Sequence, residues 1–193
     1  MKRIHAVAGL AALTLAAGAS LPAFAALDQG AAAPDFTATG MLDGKEFTFK
    51  LSDAEKKGPV VIYFFPAAFT QGCTIETKAF ADAADQFKAA GATLIGVTGG
   101  AQDPDTKKMY NAKDNLALLQ KFSEEDCRNK FPIAAVSQDT IKAYNVVLPQ
   151  KADLSDRTSY VVDKSGKIVL AYTNPAPNDH ITKTLDAVKS LKK

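Results

Sequence analysis

The chain reads VVIYFFPAAFTQGC over residues 60–73, and this stretch decides the fold. Residues 60–65 are an unbroken apolar run of β-branched and aromatic side chains, which predicts a strand buried on both faces. Residues 66–73 form a turn that ends in Cys73. A helical period follows from Thr74 to a stop at Gly91. Its expected inward-facing positions are Ile75, Phe80, Ala83 and Phe87.

Cys73 is therefore placed where a buried strand passes into a helix. Unpaired backbone N–H groups and the helix dipole favour an anion at such a point. A cysteine there ionises more readily than a free one and is a better nucleophile at neutral pH. A second interpretation stays open on spacing alone: in an exported protein Cys73 would be half of a structural disulfide with Cys127.

The first 25 residues have the pattern of a secretory signal peptide. A charged start is followed by an apolar run over residues 6–19 and an A-x-A cleavage site at residues 23–25. The apolar run is shorter than the ~20 residues of a membrane span. The cleavage site has no cysteine, so a lipid anchor is not indicated. We expect a leader over residues 1–25, one domain over residues 26–193, and a periplasmic or secreted protein.

Charge and histidine content narrow the function classes. Removing Lys2 and Arg3 with the leader lowers Lys+Arg from 23 to 21, which equals the 21 Asp+Glu. This balance indicates neither a nucleic-acid nor a membrane partner. His180 is the one histidine left in the mature chain, and with two distant cysteines this excludes a zinc site rich in histidine or cysteine. We expect His180 to be a solvated residue in the first turn of the last helix.

The remaining segments alternate between strand and helix patterns. Before the central strand we expect a hairpin turning at 42–45 and a polar turn or single helical turn at 52–59. After the Cys73 helix we expect a strand at 92–98, a long loop at 99–115, a helix at 116–126, a strand at 131–136, a short helix at 139–144, a loop at 148–155 and a hairpin of 158–163 with 167–172. Asn178 or Asp179 is expected to cap a final helix, whose inward positions are Ile181, Leu185, Val188 and Leu191. The order predicts an α/β thioredoxin-like fold, with a mixed sheet, helices on both faces and an N-terminal β-hairpin.

The spacing Pro66-x-x-x-Thr70-x-x-Cys73 resembles the active-site signature of the peroxiredoxins. These are thiol peroxidases of the alkyl hydroperoxide reductase and thiol-specific antioxidant type, built on a thioredoxin-like core. Glu76 fits the same run, and residues 157–168 look like the family's Arg-led strand and turn. Residues 33–36 and 43–45 give a weaker match to its N-terminal opening. The resemblance covers residues 33–172.

The resemblance implies a role for each residue of the signature. Cys73 would be the attacking thiolate, and Arg157 would supply a permanent positive charge that favours the thiolate and binds peroxide oxygen. Thr70 would offer a hydroxyl beside the sulfur, and Pro66 would shape and shield the pocket. Glu76 would either orient Arg157 or cap the helix. The chemistry would reduce hydrogen peroxide or organic hydroperoxides without metal, haem or flavin.

The oxidised Cys73 must be resolved by another thiol. Some members place that cysteine five residues on, where this chain has Lys78. Cys127 is then the candidate within the chain; the alternative is resolution by an external thiol, with Cys127 a small buried residue. The resemblance implies a thioredoxin-like or other thiol reductant protein as partner. It also allows a second copy of this chain, in a homodimer.

Two rival functions stay open. The first is an exported thiol–disulfide oxidoreductase of thioredoxin fold, although Thr70 stands where a C-x-x-C motif would begin. The second is a secreted binding domain, without enzymatic activity, held by a disulfide between Cys73 and Cys127.

Overall fold

The computed structural model describes residues 25–192, so the proposed leader lies outside the described residues apart from Ala25. The strands are β1 Thr37–Leu42, β2 Lys45–Lys50, β3 Val60–Phe64, β4 Ala67–Ala68, β5 Thr93–Thr98, β6 Gly100–Gln102, β7 Met109–Asn111, β8 Ile133–Ala135, β9 Val147–Leu148, β10 Lys151–Ser155, β11 Thr158–Val162 and β12 Ile168–Thr173. The helices are α1 Leu51–Glu55, α2 Gln71–Ala89, α3 Leu116–Glu125, α4 Gln138–Ala143 and α5 Asn178–Ser190, with a 3₁₀ turn at Ala112–Asp114.

The main sheet has the strand order β12-β11-β3-β5-β8-β1-β2 within the described residues. Strands β3 and β5 pair parallel, as do β5 and β8, and the other neighbours pair antiparallel. All five residues of β3 are buried, as its apolar run predicts. The predicted mixed sheet and the N-terminal hairpin of β1 and β2 are confirmed.

Side chains of β3 alternate between two cores, because successive residues of a strand point to opposite faces. Val61 and Tyr63 belong to the core under α2, α3 and α5. Val60, Ile62 and Phe64 belong to the core on the other face, with residues of α1 and α4. Helices therefore cover both faces, as predicted, and β3 delivers the following turn from the middle of the sheet.

One predicted inward position of α2 is wrong. Phe80, Ala83 and Phe87 are buried, but Ile75 is 48% exposed. The inward position next to Ile75 belongs to Glu76, which lies four residues before Phe80 and so on the same face. Its carboxylate has a buried partner described below, which allows a charged residue to take the apolar position. The predicted stop is confirmed, since Gly91 has φ 73°.

The two predicted loops are also wrong. Residues 99–115 contain β6, β7 and the 3₁₀ turn, and β6 pairs in parallel with β4 in the turn before Cys73. Residues 148–155 contain β10, which pairs with β9. Both pairs join strands of two to five residues, too short to give a readable apolar alternation.

The last helix differs from the prediction at both ends. Pro177 precedes the first helical residue, Asn178, and no side chain caps that end in the described part of the chain. Proline fixes φ near the helical value, so it can open a helix without a side-chain cap. Leu191 follows the last helical residue and is 39% exposed rather than inward. Over residues 25–192 no helix is long and apolar enough to cross a membrane.

Candidate active site

The turn of residues 66–73 is held from several directions. Its short strand β4 pairs with β6, and the Thr98 hydroxyl donates to the carbonyl oxygen of Pro66 at 3.1 Å. Phe69 has φ 63°, in the left-handed region that a bulky side chain rarely adopts. Its ring packs edge-on against Phe122 of α3 with centroids 5.0 Å apart. Such strain persists only where surrounding contacts fix it, so the turn has one defined shape.

Cys73 lies in the first turn of α2 and is 1% exposed. The helix begins at Gln71 rather than at Thr74, and its first helical bond runs from the Thr74 N–H to the Thr70 carbonyl at 2.9 Å. The backbone N–H of Cys73 is consequently one of the free amides of a helix N-terminus. The Thr70 hydroxyl donates to the Ala67 carbonyl at 2.9 Å, which leaves its oxygen available as an acceptor.

Arg157 is the residue that the structure brings directly to Cys73. Its Nη2 donates to Cys73 Sγ at 3.5 Å, its Nη1 donates to Glu76 Oε2, and its Nε donates to the Pro175 carbonyl at 3.0 Å. Burial alone would lower the pKa of Arg157, but the facing Glu76 and Cys73 raise it above its ordinary value. The guanidinium therefore stays charged and is fixed by three contacts.

Glu76 contacts Arg157, and no side chain caps the start of α2 among the described residues, which favours the orienting alternative for Glu76. The side chain is fully buried and forms an ion pair with the guanidinium. Burial raises the pKa of Glu76 to about 8 against the opposing effect of Arg157. Its second oxygen, Oε1, has no hydrogen-bond partner among the described residues.

The raised pKa of Glu76 predicts a pH dependence of stability. The carboxyl titrates near 4.5 when unfolded and at about 8 in the fold, so the folded chain holds an extra proton between these values. The free energy of unfolding should therefore fall as pH rises towards 8, by up to about 1.4 kcal/mol per pH unit. We expect Glu76→Gln to remove this slope. Urea unfolding of both proteins between about pH 7 and about pH 8.5 measures it, in a range above the ordinary titration of His180.

Parallel lines for the two proteins would show that Glu76 is ionised in the fold throughout this range. Below about pH 7, His180 makes the free energy of unfolding rise with pH, because burial lowers the pKa of His180 below its ordinary 6.5. A group with a lowered pKa of this kind loses stability as pH falls, which is why the comparison is confined to the alkaline side.

The prediction of a solvated His180 is wrong. The imidazole is fully buried, with Nδ1 2.8 Å from Ser159 Oγ and Nε2 2.9 Å from the Asn174 carbonyl. Both ring nitrogens have polar partners, which permits burial. The sequence did hold a signal: counting back from Val188 in steps of four reaches Thr184 and His180, and all three are buried on one stripe of α5.

Gly72 is a site residue that the sequence analysis missed. A methyl group on its Cα would lie 3.1 Å from Nη2 of Arg157, so glycine leaves the room that the guanidinium occupies beside Cys73. We expect Gly72→Ala to displace the guanidinium and to slow the peroxide reaction that the resemblance implies for Cys73 by about tenfold, a loss of ~1.4 kcal/mol. Alanine also favours a helix by up to ~1 kcal/mol over glycine, so thermal stability should hold or rise.

The measurement pairs stopped-flow peroxide kinetics with a thermal melt. Glycine 91, at the other end of α2, has open space around its Cα but a positive φ, so Gly91→Ala serves as a stability control that leaves the site alone. A Gly72→Ala protein that reacts as fast as the parent would contradict the role given to this close approach.

A small cavity opens beside the guanidinium. It has a volume of about 160 Å³ and is lined by Pro66, Leu148, Asp156, Arg157, Thr173 and Pro175. Two predicted site residues, Pro66 and Arg157, therefore share its wall. A larger cavity of about 520 Å³ is lined by Pro59 and Gly91 at the opposite end of β3, away from Cys73. Cys73 does not line the small cavity, which is joined to the thiol through Arg157, the residue that contacts both.

Cys127 follows α3, as predicted, and is fully buried. Burial raises its pKa well above the ordinary value, and the neighbouring Asp126 adds to the shift. Asp126 accepts from the Thr74 hydroxyl at 3.1 Å and pairs with Lys78 at 3.2 Å. Cys73 and Cys127 are both free thiols in this structure.

The segment of residues 126–130 is clamped along α2. Besides Asp126, Arg128 pairs with Asp82 at 2.6 Å and Lys130 pairs with Asp85 at 3.4 Å. Residues 78, 82 and 85 follow one another at helical spacing, so the three contacts form a row on one face of α2. We call this row the α2 clamp. It places Cys127 beside the helix that carries Cys73.

No group of three or more His, Cys, Asp and Glu side chains in the described part of the chain is placed to hold a metal ion. The site is built instead from a thiol, a guanidinium and the amides of a helix N-terminus.

Comparison with known families decides what this arrangement belongs to. The sequence model described as "AhpC/TSA family" matches residues 29–171. This span covers most of the chain and includes Pro66, Thr70, Cys73 and Arg157. The chain is a member of the AhpC/TSA family. It is therefore an oxidoreductase of the peroxiredoxin type, a thiol-dependent peroxidase, and the predicted family is confirmed.

Individual relatives agree with this assignment. The chain is 37% identical over 169 residues to "Peroxiredoxin Q, chloroplastic" of Populus jackii, covering 87% of this chain and 71% of the relative. It is 36% identical over 174 residues to the protein of the same name from Gentiana triflora, covering 89% and 71%. Family members use peroxide substrates and thiol reductants, which confirms the general class of partner predicted here.

A solved structure confirms the thioredoxin-like fold. Peroxidoxin BcpB from Mycobacterium tuberculosis superimposes with a TM-score of 0.65 at 26% identity, covering 86% of this chain and 98% of that protein. The AhpC of the same organism gives a TM-score of 0.66 at 19% identity, covering 88% and 100%, and supports the fold alone.

Proposed function

We propose that Cys73 is the sulfur that attacks the peroxide. The observation that carries this assignment is the 3.5 Å contact from Arg157 Nη2 to Cys73 Sγ at the N-terminal turn of α2. The thiolate forms an S–O bond as the O–O bond breaks, leaving Cys73 as a sulfenic acid. The departing alkoxide or hydroxide takes up a proton and leaves as an alcohol or water. Sulfur is oxidised by two electrons and the peroxide is reduced by two.

The surrounding groups suit this step. The fixed guanidinium and the free amide of Cys73 are donors for the oxygen that gains charge. Thr70 immediately precedes the helix, three residues before Cys73, and its hydroxyl oxygen is free to accept the peroxide O–H. Pro66 has no N–H to offer and lines the cavity of about 160 Å³ next to Arg157. That volume suits hydrogen peroxide or a small organic hydroperoxide.

We assign Cys127 as the resolving cysteine. Its sulfur would attack the sulfenic sulfur of Cys73, which forms a disulfide and releases water. The α2 clamp supports this assignment, because it holds the Cys127 segment against the helix of Cys73. The same clamp must loosen for the two buried sulfurs to meet, so resolution is a conformational step as well as a chemical one.

The disulfide would then be reduced by a thioredoxin-like donor protein through thiol–disulfide exchange. Ile75, 48% exposed two residues after Cys73, gives a protein partner an apolar contact beside the site. It could serve the donor or a second copy in a homodimer, which sedimentation of the reduced protein distinguishes from a monomer. Export by the leader of residues 1–25 belongs to the same proposal, and an N-terminus at Ala26 in the secreted protein tests it.

Peroxide consumption with a small dithiol reductant tests the proposed function. The parent protein should consume hydrogen peroxide catalytically, and Cys73→Ser should show no consumption above the reductant alone. Equal rates in the two proteins would contradict the assignment of Cys73. Dithiol exchange without peroxide consumption would instead support the thiol–disulfide oxidoreductase.

A further inference from the structure

Glu76 lies between two basic side chains. Its Oε2 pairs with Arg157, and its Oε1 is 3.7 Å from Nδ1 of His180. Arg157 in turn reaches Cys73. Glu76 and His180 are fully buried, Cys73 is 1% exposed and Arg157 is 8% exposed. The four ionisable groups therefore form one chain that is shielded from water, and a charge on any of them acts strongly on the others.

The hydrogen bonds of His180 fix which nitrogen carries its proton. Nε2 lies 2.9 Å from the Asn174 carbonyl, which can only accept, so Nε2 must be the donor. In a neutral imidazole Nδ1 is then the acceptor, and the Ser159 hydroxyl at 2.8 Å donates to it. The acceptor nitrogen of His180 thus faces the Glu76 carboxyl.

A proton is missing from this contact when Glu76 is ionised. Its Oε1 is fully buried and has no hydrogen-bond partner among residues 25–192, which is an unfavourable state for a carboxylate oxygen. A proton on Oε1 would satisfy that oxygen by donation to Nδ1 after a movement of about 1 Å, from 3.7 Å to hydrogen-bond distance. Because Nδ1 has one lone pair, the Ser159 hydroxyl gives up its own donation to Nδ1 when this contact forms. Burial favours the uncharged form of each partner, so this proton sits on the Glu76 side.

We propose that His180 is a positioning residue for the peroxidase reaction: with Glu76 it holds one proton, and that proton frees the charge of Arg157 for the Cys73 thiolate. This proposal rests on Cys73 being the reacting thiol. The reaction it serves is the proposed attack on peroxide, and His180 touches neither the sulfur nor the substrate cavity.

The total charge of the buried cluster explains why this proton matters for the Cys73 thiolate. With Cys73 as a thiol, the Arg157 cation and the Glu76 anion cancel. With Cys73 as a thiolate, the same groups total one negative charge, and a proton on the Glu76–His180 pair returns the total to zero. Ionisation of the thiol and proton uptake by the pair are therefore coupled titrations in one buried cluster.

Few other charges face this cluster. Asp156 lines the small cavity beside Arg157; burial raises the pKa of Asp156, and the hydrogen bond that it accepts from the Thr158 hydroxyl at 2.7 Å opposes the rise. Asp179 adjoins His180 on α5 but is exposed, so water screens it. The ring of Tyr172 on β12 packs edge-on to His180 with centroids 4.8 Å apart. Tyr63 on β3 shares a hydrogen bond with Thr77 at 3.1 Å, and burial holds its pKa well above the ordinary value, so it stays neutral. Proton exchange within the cluster is thus confined to Cys73, Glu76 and His180.

Alkylation of Cys73 by iodoacetamide as a function of pH tests the proposal without peroxide. Every protein carries Cys127→Ala, so that Cys73 is the one thiol that reacts. His180→Gln keeps a donor for the Asn174 carbonyl but lacks the basic nitrogen that accepts the proton of Glu76. We expect the pH midpoint of alkylation to rise by about one unit, which makes the reaction about tenfold slower on the acid side.

Ser159→Ala is the matched control, because it removes the same hydrogen bond between β11 and α5 but leaves Nδ1 free for Glu76. Its midpoint should stay or fall. A midpoint that rises in both variants would show that His180 only anchors α5, and would overturn the proposal. An unchanged midpoint in His180→Gln would overturn it as well. Failure of the parent to react with peroxide would sink the proposed function while leaving this comparison intact.

A second measurement covers the case in which His180→Gln does not fold. In a protein labelled at the Glu76 carboxyl and the His180 ring, with His5 replaced by glutamine, nuclear magnetic resonance follows the proton of the pair. Coupling is reciprocal, so Cys73→Ser should lower the pH at which the Glu76–His180 pair loses its proton by about one pH unit, the same size as the shift expected for alkylation. Identical titrations in the parent and Cys73→Ser would refute the coupling.

Discussion

Replacing Arg157 with methionine is expected to slow the reaction of Cys73 with hydrogen peroxide by about 10²–10³-fold, the loss typical of removing one preorganised donor to a developing anion. Methionine preserves much of the length but has neither the charge nor the donor that lies 3.5 Å from Sγ. Stopped-flow measurement of the second-order rate constant gives the effect directly. A rate within threefold of the parent would contradict the role of Arg157.

Two companion variants separate chemistry from folding. Arg157→Met leaves Glu76 buried without its partner, whereas the double variant with Glu76→Gln removes both charges of the pair. The double variant should regain stability but not rate. Arg157→Lys retains the charge and loses the fork that reaches Glu76, Pro175 and Cys73 at once, so it should also be slow.

Replacing Cys127 with alanine is expected to abolish turnover with a thioredoxin-like donor while leaving the first reaction with peroxide near the parental rate. The sulfenic acid on Cys73 would lack its partner and would proceed to sulfinic acid at higher peroxide. Turnover with the donor and single-turnover oxidation are measured on the same samples. Full donor-dependent turnover in Cys127→Ala would establish the single-cysteine mechanism.

The α2 clamp gives this prediction a further readout. Its pairs at Asp82 and Asp85 have exposed carboxylates, so salt should weaken them. Disulfide formation in the parent should accelerate with salt, whereas initial oxidation of the buried Cys73 should change little. A disulfide rate that is independent of salt would show that the clamp does not limit resolution.

Features carried by short-range patterns were predictable from the sequence. The unbroken apolar run of β3 predicted a doubly buried strand, and the spacing of Pro66, Thr70 and Cys73 predicted the turn that follows. Arg157 was found by its place in a second motif, since nothing in local pattern says that a residue 84 positions away returns to Cys73. The approach depends on the antiparallel pairing of β11 with β3.

Two of the errors share a physical origin, which is that a buried polar side chain was not expected. His180 was expected to be solvated, and Ile75 was expected at the inward position that Glu76 holds. Both polar side chains are buried because distant segments supply their partners: Arg157 for Glu76, and Ser159 and Asn174 for His180. Such partners arise from tertiary structure and cannot be identified from local sequence, although the spacing of His180 with Thr184 and Val188 indicated the buried face of α5. Gly72 was missed for the same reason, because the guanidinium that occupies the space a side chain would fill belongs to Arg157, in the segment between β10 and β11.

Mass spectrometry of the reduced protein after one equivalent of hydrogen peroxide tests the central assignment most directly. The account predicts loss of two hydrogens in the parent, with Cys73 and Cys127 joined in one disulfide-linked peptide. In Cys127→Ala it predicts a one-oxygen adduct on Cys73, and in Cys73→Ser no rapid change. A fast adduct on Cys127, or no fast oxidation of Cys73 in the parent, would contradict it.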